Sequence, residues 1–98
     1  MPYRIEYSPA SEEHLRALTA RQRATIFDAV DSQLAYEPAR ETRNRKPMRP
    51  NPVAPWELRI GSLRVYFDID EHEAVVRILV IGVKVGNDVR IGREVIEI

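Results

Sequence analysis

Over residues 2–7, Tyr3, Ile5 and Tyr7 alternate with Arg4 and Glu6, and this period-two pattern predicts a first strand with one buried face. Ser8-Pro9 stops it and suits the start of a helix, with serine at the N-cap and proline at the first helical position. Glu12 and Glu13 then favour the positive end of the helix dipole, and the helix runs through about Leu18 with Leu15 and Leu18 turned inward. Thr19-Ala20-Arg21-Gln22 has the form of a capping box, so a second helix is predicted from Ala20 to Tyr36. Its apolar stripe is Ala24, Phe27, Val30 and Leu34, with Ile26 beside it. Helices separated only by a cap predict an antiparallel helical hairpin.

Residues 37–53 hold four prolines and neither a helical nor a strand period, which predicts a long loop. "PWELRIGSLRVYFDID" (55–70) then reads as a β-hairpin around Gly61-Ser62. Trp56, Leu58, Ile60, Leu63, Val65, Phe67 and Ile69 fall on one face, and Glu57, Arg59, Arg64, Tyr66 and Asp68 on the other. After a polar turn at 70–73, residues 74–82 are apolar on both faces apart from Arg77, as in a central strand. Residues 83–88 read as a turn region, and 89–92 and 94–98 as short β-like segments. This order predicts one α+β domain over residues 1–98. An N-terminal strand and a two-helix hairpin pack on a mostly antiparallel sheet of four to five strands.

Length and composition narrow the class. Ninety-eight residues with 44% hydrophobic and 31% charged content fit one globular core. No apolar run approaches the ~20 residues that cross a bilayer. The N-terminus has no apolar signal core. There is no cysteine, which removes disulfides, thiolate metal sites and thiol nucleophiles. A soluble cytoplasmic protein without membrane contact is the expectation.

Net charge is zero, yet residues 40–64 carry a balance of +5 between flanks of −2 and −3. The central block joins Arg43, Arg45, Lys46 and Arg49 of the loop to Arg59 and Arg64 of the hairpin, with Tyr66 on the same wet face. Such a patch can bind RNA or another phosphate-bearing anion. It can equally be a solvated loop, with Arg59 and Arg64 paired to Glu57 and Asp68 across the hairpin. The stretch 43–46 supports contact with a nucleic-acid backbone rather than base reading, or docking of an acidic partner. Arg77 reads as an ion-pair partner, Trp56 as a core anchor, His14 as a helix-surface residue and His72 as a turn residue. No His/Asp/Glu spacing implies a metal, and nothing implies a cofactor.

The strings "YRIEYSPASEEHLRAL" and "WELRIGSLRVYFDID…VVRILVIGVK" resemble the RelE/ParE superfamily of bacterial toxins from type II toxin–antitoxin modules, and the resemblance covers nearly the whole chain. Its RelE branch cleaves mRNA on the ribosome without a metal, the 2′-hydroxyl attacking the adjacent phosphate with help from basic residues and, in many members, a C-terminal tyrosine. The resemblance assigns catalytic roles to Arg59, Arg64 and Lys84. Glu57 stands where some members carry a further basic group. Arg90 stands at about the place of the tyrosine, and no tyrosine follows Tyr66, so Tyr66 is the candidate to stack a base or replace it. Arginine is a good phosphate clamp and a poor base, which leaves Lys84 as the candidate proton-transfer group if its surroundings lower its pKa. The ParE branch instead poisons DNA gyrase, and Glu57, the missing tyrosine and the neutral net charge fit that branch or a catalytically inactive antitoxin-binding homologue. Either way, the resemblance implies a cognate antitoxin as partner, beside ribosome and mRNA or gyrase. The 94–98 segment, as an exposed edge, is open to homodimerisation.

Overall fold

The two helix starts form as their cap residues dictate. In the computed structural model, which describes residues 2–92 and 94–96, the Ser8 hydroxyl accepts from the Ser11 N–H and Pro9 opens α1 (Pro9–Arg16). The Thr19 hydroxyl accepts from the Gln22 N–H at 3.1 Å and the Gln22 side chain accepts from the Thr19 N–H at 2.9 Å, so the capping box of α2 (Ala20–Leu34) is complete. Both helices stop about two residues before the pattern suggests. α2 buries Ile26, Val30 and Leu34, one residue every fourth position, whereas Phe27 is 40% exposed and sits edge-on to Tyr7.

The sheet has more strands than the pattern predicts. Six antiparallel strands run in the order β2 (Arg45–Pro47), β3 (Trp56–Ile60), β4 (Leu63–Asp70), β5 (Val75–Val85), β6 (Asp88–Ile91) and β7 (Glu94–Ile96), and β1 (Arg4–Tyr7) lies parallel to the first part of β5. One strand is new and another is longer than the pattern predicts. Part of the supposed loop, Arg45–Pro47, pairs with Leu58–Trp56. The region read as a turn at 83–88 is instead strand through Val85, followed by a tight turn. The C-terminal segment contributes β7 at the outer edge; Glu97 and Ile98, which completed the predicted strand, lie outside the described residues.

β5 is apolar on both faces because a bulge changes its parity. Tyr66 pairs with Val80 and Phe67 with Ile78, so Leu79 is an extra residue on β5. Val76 and Ile78 before it, and Ile81 and Val83 after it, all face the helices. Beyond the bulge, Val80, Gly82 and Lys84 join Tyr66 and Arg64 on the opposite face. Between the segments that pair with β1 and β6, the edge of β5 is satisfied from α1. Ser8 donates to the Ile78 and Leu79 carbonyls, and the Ile81 N–H donates to His14 Nδ1 at 3.2 Å. His14 is therefore half-buried and structural rather than a plain surface residue.

The main core lies between helices and sheet, where Leu15, Ile26, Val30 and Leu34 meet Leu58, Val65, Phe67, Val76 and Ile78. Trp56 stacks on Phe67 at its margin, with ring centroids 5.9 Å apart. A second, smaller apolar cluster of Ala54, Tyr66, Val89 and Ile91, with Met48, Val53, Leu79 and Val80 around it, occupies the other face. Among the described residues no helix is long and apolar enough to span a membrane.

Candidate functional site: a cationic cleft on the outer sheet face

The face away from the helices is only partly wet. A proline-rich segment folds over it, held by one side chain. Asn51 Nδ2 donates to the Arg49 and Ala54 carbonyls, and its Oδ1 accepts from the Val53 and Ala54 N–H groups. The Met48 N–H donates to the Pro55 carbonyl and closes the base of the loop. Asn51 between Pro50 and Pro52 marks a turn in the sequence, and this geometry is its consequence. The loop thereby becomes a fixed wall carrying Lys46, Met48 and Arg49.

Between that wall and the β5–β6 turn lies a cleft of about 540 Å³. Glu57, Arg59, Arg64, Tyr66 and Lys84 form its floor and end, and Asn87 and Val89 its far side. Lys46, Arg49, Arg59, Arg64 and Lys84 set five cations around one carboxylate. Alternation along β3 and β4 points these residues outward, and the parity change in β5 brings Lys84 to them.

Arg59 and Arg64 are direct cross-strand partners, an arrangement in which like charges repel. Each is steadied separately. Arg59 Nε donates to Glu57 Oε1 at 2.8 Å, while its terminal nitrogens make no hydrogen bond among the described residues. Arg64 is buried, and its Nη1 donates to the Gly61 and Leu63 carbonyls at 2.7 and 2.8 Å, with no carboxylate partner among the described residues. The pairing of both arginines with carboxylates is thus realised once, between Arg59 and Glu57. Asp68 lies away from the cleft, and Arg77 pairs instead with Asp70 at 3.7 Å.

Tyr66 is fully buried rather than exposed on a wet face. Its hydroxyl lies under the cleft beside Glu57 and makes no hydrogen bond of ordinary geometry among the described residues. Burial first, and then the Glu57 carboxylate, push its ionisation well above that of a free tyrosine. It keeps its proton at neutral pH and has no open ring face for base stacking.

Of the basic-loop candidates, Lys46 and Arg49 line the cleft, and Arg43 and Arg45 do not. Arg43 is exposed in the turn before β2. Arg45 is only 5% exposed, and its guanidinium donates to the Arg40 and Gln33 carbonyls, tying the loop to the end of α2. Its role here is structural. Arg90, at about the place where the resemblance expects a tyrosine, lies on the opposite face near His14 and Leu18. Sequence reasoning missed Glu57 as a cleft residue, and also Asn51 and Val89. The Glu57–Arg59 spacing on one strand face was the available signal for the first.

No family model matches the sequence, and no curated protein matches it significantly. Solved structures do. A chain of the RelBE2 toxin-antitoxin complex from Mycobacterium tuberculosis is 25% identical and superposes with a TM-score of 0.75, covering 86% of this chain and 93% of that one. A chain of the archaeal RelE-RelB complex from Pyrococcus horikoshii OT3 is 23% identical, with a TM-score of 0.66 over 83% of this chain and 93% of its own. The fold, helices on one face of a mixed sheet, is RelE-like.

Proposed function

We propose that this RelE-like chain is the toxin of a type II toxin–antitoxin module and that its cleft binds and cuts RNA, as a ribosome-dependent mRNA endonuclease in the cytoplasm. The observation that carries the reading is the convergence of Arg59, Arg64 and Lys84, from three strands, on a cleft that Lys46 and Arg49 also line. A phosphodiester under attack gathers negative charge on its oxygens, and fixed cations in a partly enclosed site stabilise that charge. The free terminal nitrogens of Arg59 suit a bidentate grip on phosphate. The toxin role is supported by the likeness to chains from two toxin–antitoxin complexes, and it makes a cognate antitoxin the partner that holds the cleft closed.

The test is controlled expression in a bacterium without antitoxin, with mRNA 5′ ends mapped after induction, beside an Arg59→Ala/Lys84→Ala variant. Both side chains reach solvent, and because Arg59→Ala leaves the Glu57 carboxylate without its partner, the thermal midpoint of the variant checks its fold; buried Arg64 is left in place. Growth arrest with new cuts inside translated frames, lost in the variant, is the expected result. Arrest without such cuts favours the gyrase-poisoning alternative. No arrest from folded protein leaves a toxin fold that only binds its antitoxin.

A further inference from the structure

We propose that Glu57 is the proton acceptor of the RNA-cleaving step, an assignment that rests on the RNA-directed reading above. Few of the groups that line the cleft can accept a proton. Arginine stays protonated and cannot accept, so Arg49, Arg59 and Arg64 can hold a phosphate but take no proton, and Lys46 and Lys84 stand among them as further phosphate ligands. The Tyr66 hydroxyl is buried and keeps its proton. No histidine lines the cleft, and its two asparagines are not bases. Among the described residues that line the cleft, Glu57 is the one carboxylate.

Its geometry suits the task. The Glu57 side chain is 8% exposed, and Oε1 is occupied by Arg59 Nε at 2.8 Å, which fixes the rotamer. The Tyr66 hydroxyl lies against the same carboxylate, outside ordinary hydrogen-bond geometry among the described residues. The same arginine that grips Glu57 has its terminal nitrogens open. A phosphate held by those nitrogens therefore lies close to the carboxylate. Base and clamp are coupled through one guanidinium, which brings the 2′-hydroxyl next to that phosphate within reach of Glu57.

In the step, the 2′-hydroxyl proton passes to Glu57 while its oxygen bonds to phosphorus. The bond from phosphorus to the 5′ oxygen breaks, and that oxygen takes a proton from water at the open mouth. The products are a 2′,3′-cyclic phosphate and a 5′-hydroxyl end. Glu57 returns its proton to solvent, so no oxidant, reductant or metal is consumed.

The experiment compares the purified full chain with Glu57→Gln in single-turnover cleavage of mRNA on programmed ribosomes across pH 5 to 9, together with binding of the same complexes. Glutamine keeps an oxygen for Arg59 Nε while losing the basicity and the charge of the carboxylate, and the thermal midpoint of each protein checks its fold. The expected result is a loss of cleavage of about 10²- to 10⁴-fold with binding retained to within a few fold. The fall in wild-type rate toward acid pH should be absent from the residual activity. Cleavage by Glu57→Gln within a few fold of wild type, or an unchanged acid limb, overturns the assignment. So does a loss of binding that matches the loss of cleavage, because Glu57 would then only position Arg59. A wild-type chain that cuts nothing under these conditions overturns the RNA-directed reading, and this assignment with it.

Discussion

Two faces of one sheet, built from alternate residues of the same strands, are buried to similar depth and to opposite effect. Toward the helices, Leu58, Val65, Phe67 and Ile78 are each 0% exposed and meet only other apolar groups. Toward the cleft, Glu57, Arg64 and Tyr66 are between 0% and 7% exposed, and they bring a carboxylate, a guanidinium and a hydroxyl that makes no ordinary hydrogen bond among the described residues. Burial on the first face stabilises the fold by about 25 cal/mol per Å² of apolar surface. On the second, burying a carboxylate and a guanidinium costs free energy that their few hydrogen bonds only partly return. The helix face explains why the chain folds. The cleft face tolerates a cost, and sites that do so are where function is to be sought.

The largest expected effect breaks the stabilising face alone. Phe67→Ala removes a fully buried ring that stacks on Trp56 and should cost about 3–5 kcal/mol of stability in a urea unfolding series. On the RNA-directed proposal, binding of RNA by the fraction still folded should be unchanged. If binding falls while the protein stays folded, the two faces are not independent.

Gly82→Ala tests the seam between them. A Cβ there would lie 2.6 Å from Val89 Cγ1 and 2.8 Å from the Arg90 carbonyl, so β6 must move away from β5. The expected cost is about 1–3 kcal/mol, smaller than for Phe67 because the helix-side core is left intact. Moving β6 also displaces Val89, a wall of the cleft, so chemical shifts of Tyr66 and Val89 should change more than those of Ile26 and Val30. A uniform change across both clusters would show that the sheet yields as one body.

Legibility in the sequence divides along the same line. Most of the helix face follows from local signals, Ser8, the Thr19–Gln22 box and alternation from Trp56 to Ile69, and only its share of β5 depends on the bulge. The cleft is not local. Arg59 and Arg64 are legible as outward residues of one hairpin, but Lys84 reaches them only through the bulge at Leu79, which no two-residue period announces. Arg45 looks like any other loop cation until β2 turns it under the end of α2. Tyr66 alternates like a wet residue, and its burial depends on a loop closed by Asn51 and on β6, both distant in sequence.

The smallest effect sharpens the comparison most, because each face holds one tyrosine whose buried hydroxyl lacks a hydrogen-bond partner among the described residues. Tyr7 packs at the margin of the helix-side core, and burial with nearby Asp31 raises its pKa to about 12. Tyr66 is raised further, by burial and by Glu57. In both cases the unfolded chain loses its proton near pH 10 while the folded chain retains it. The folded state then binds more protons, so stability falls as pH rises above about 10, by about 1.4 kcal/mol per unit for each tyrosine, until its folded pKa is passed. Tyr7→Phe and Tyr66→Phe should each leave neutral-pH stability unchanged or raised by about 1 kcal/mol, since each removes a buried hydroxyl that makes no ordinary hydrogen bond among the described residues. Each should also remove one part of the alkaline decline, as unfolding curves between pH 8 and 11.5 will show. They should part in activity, because only the Tyr66 hydroxyl adjoins Glu57 beneath the cleft. A lower RNA-cleavage rate in Tyr66→Phe with Tyr7→Phe unchanged would make the buried cost on the outer face a functional one, and equal rates would reduce Tyr66 to packing.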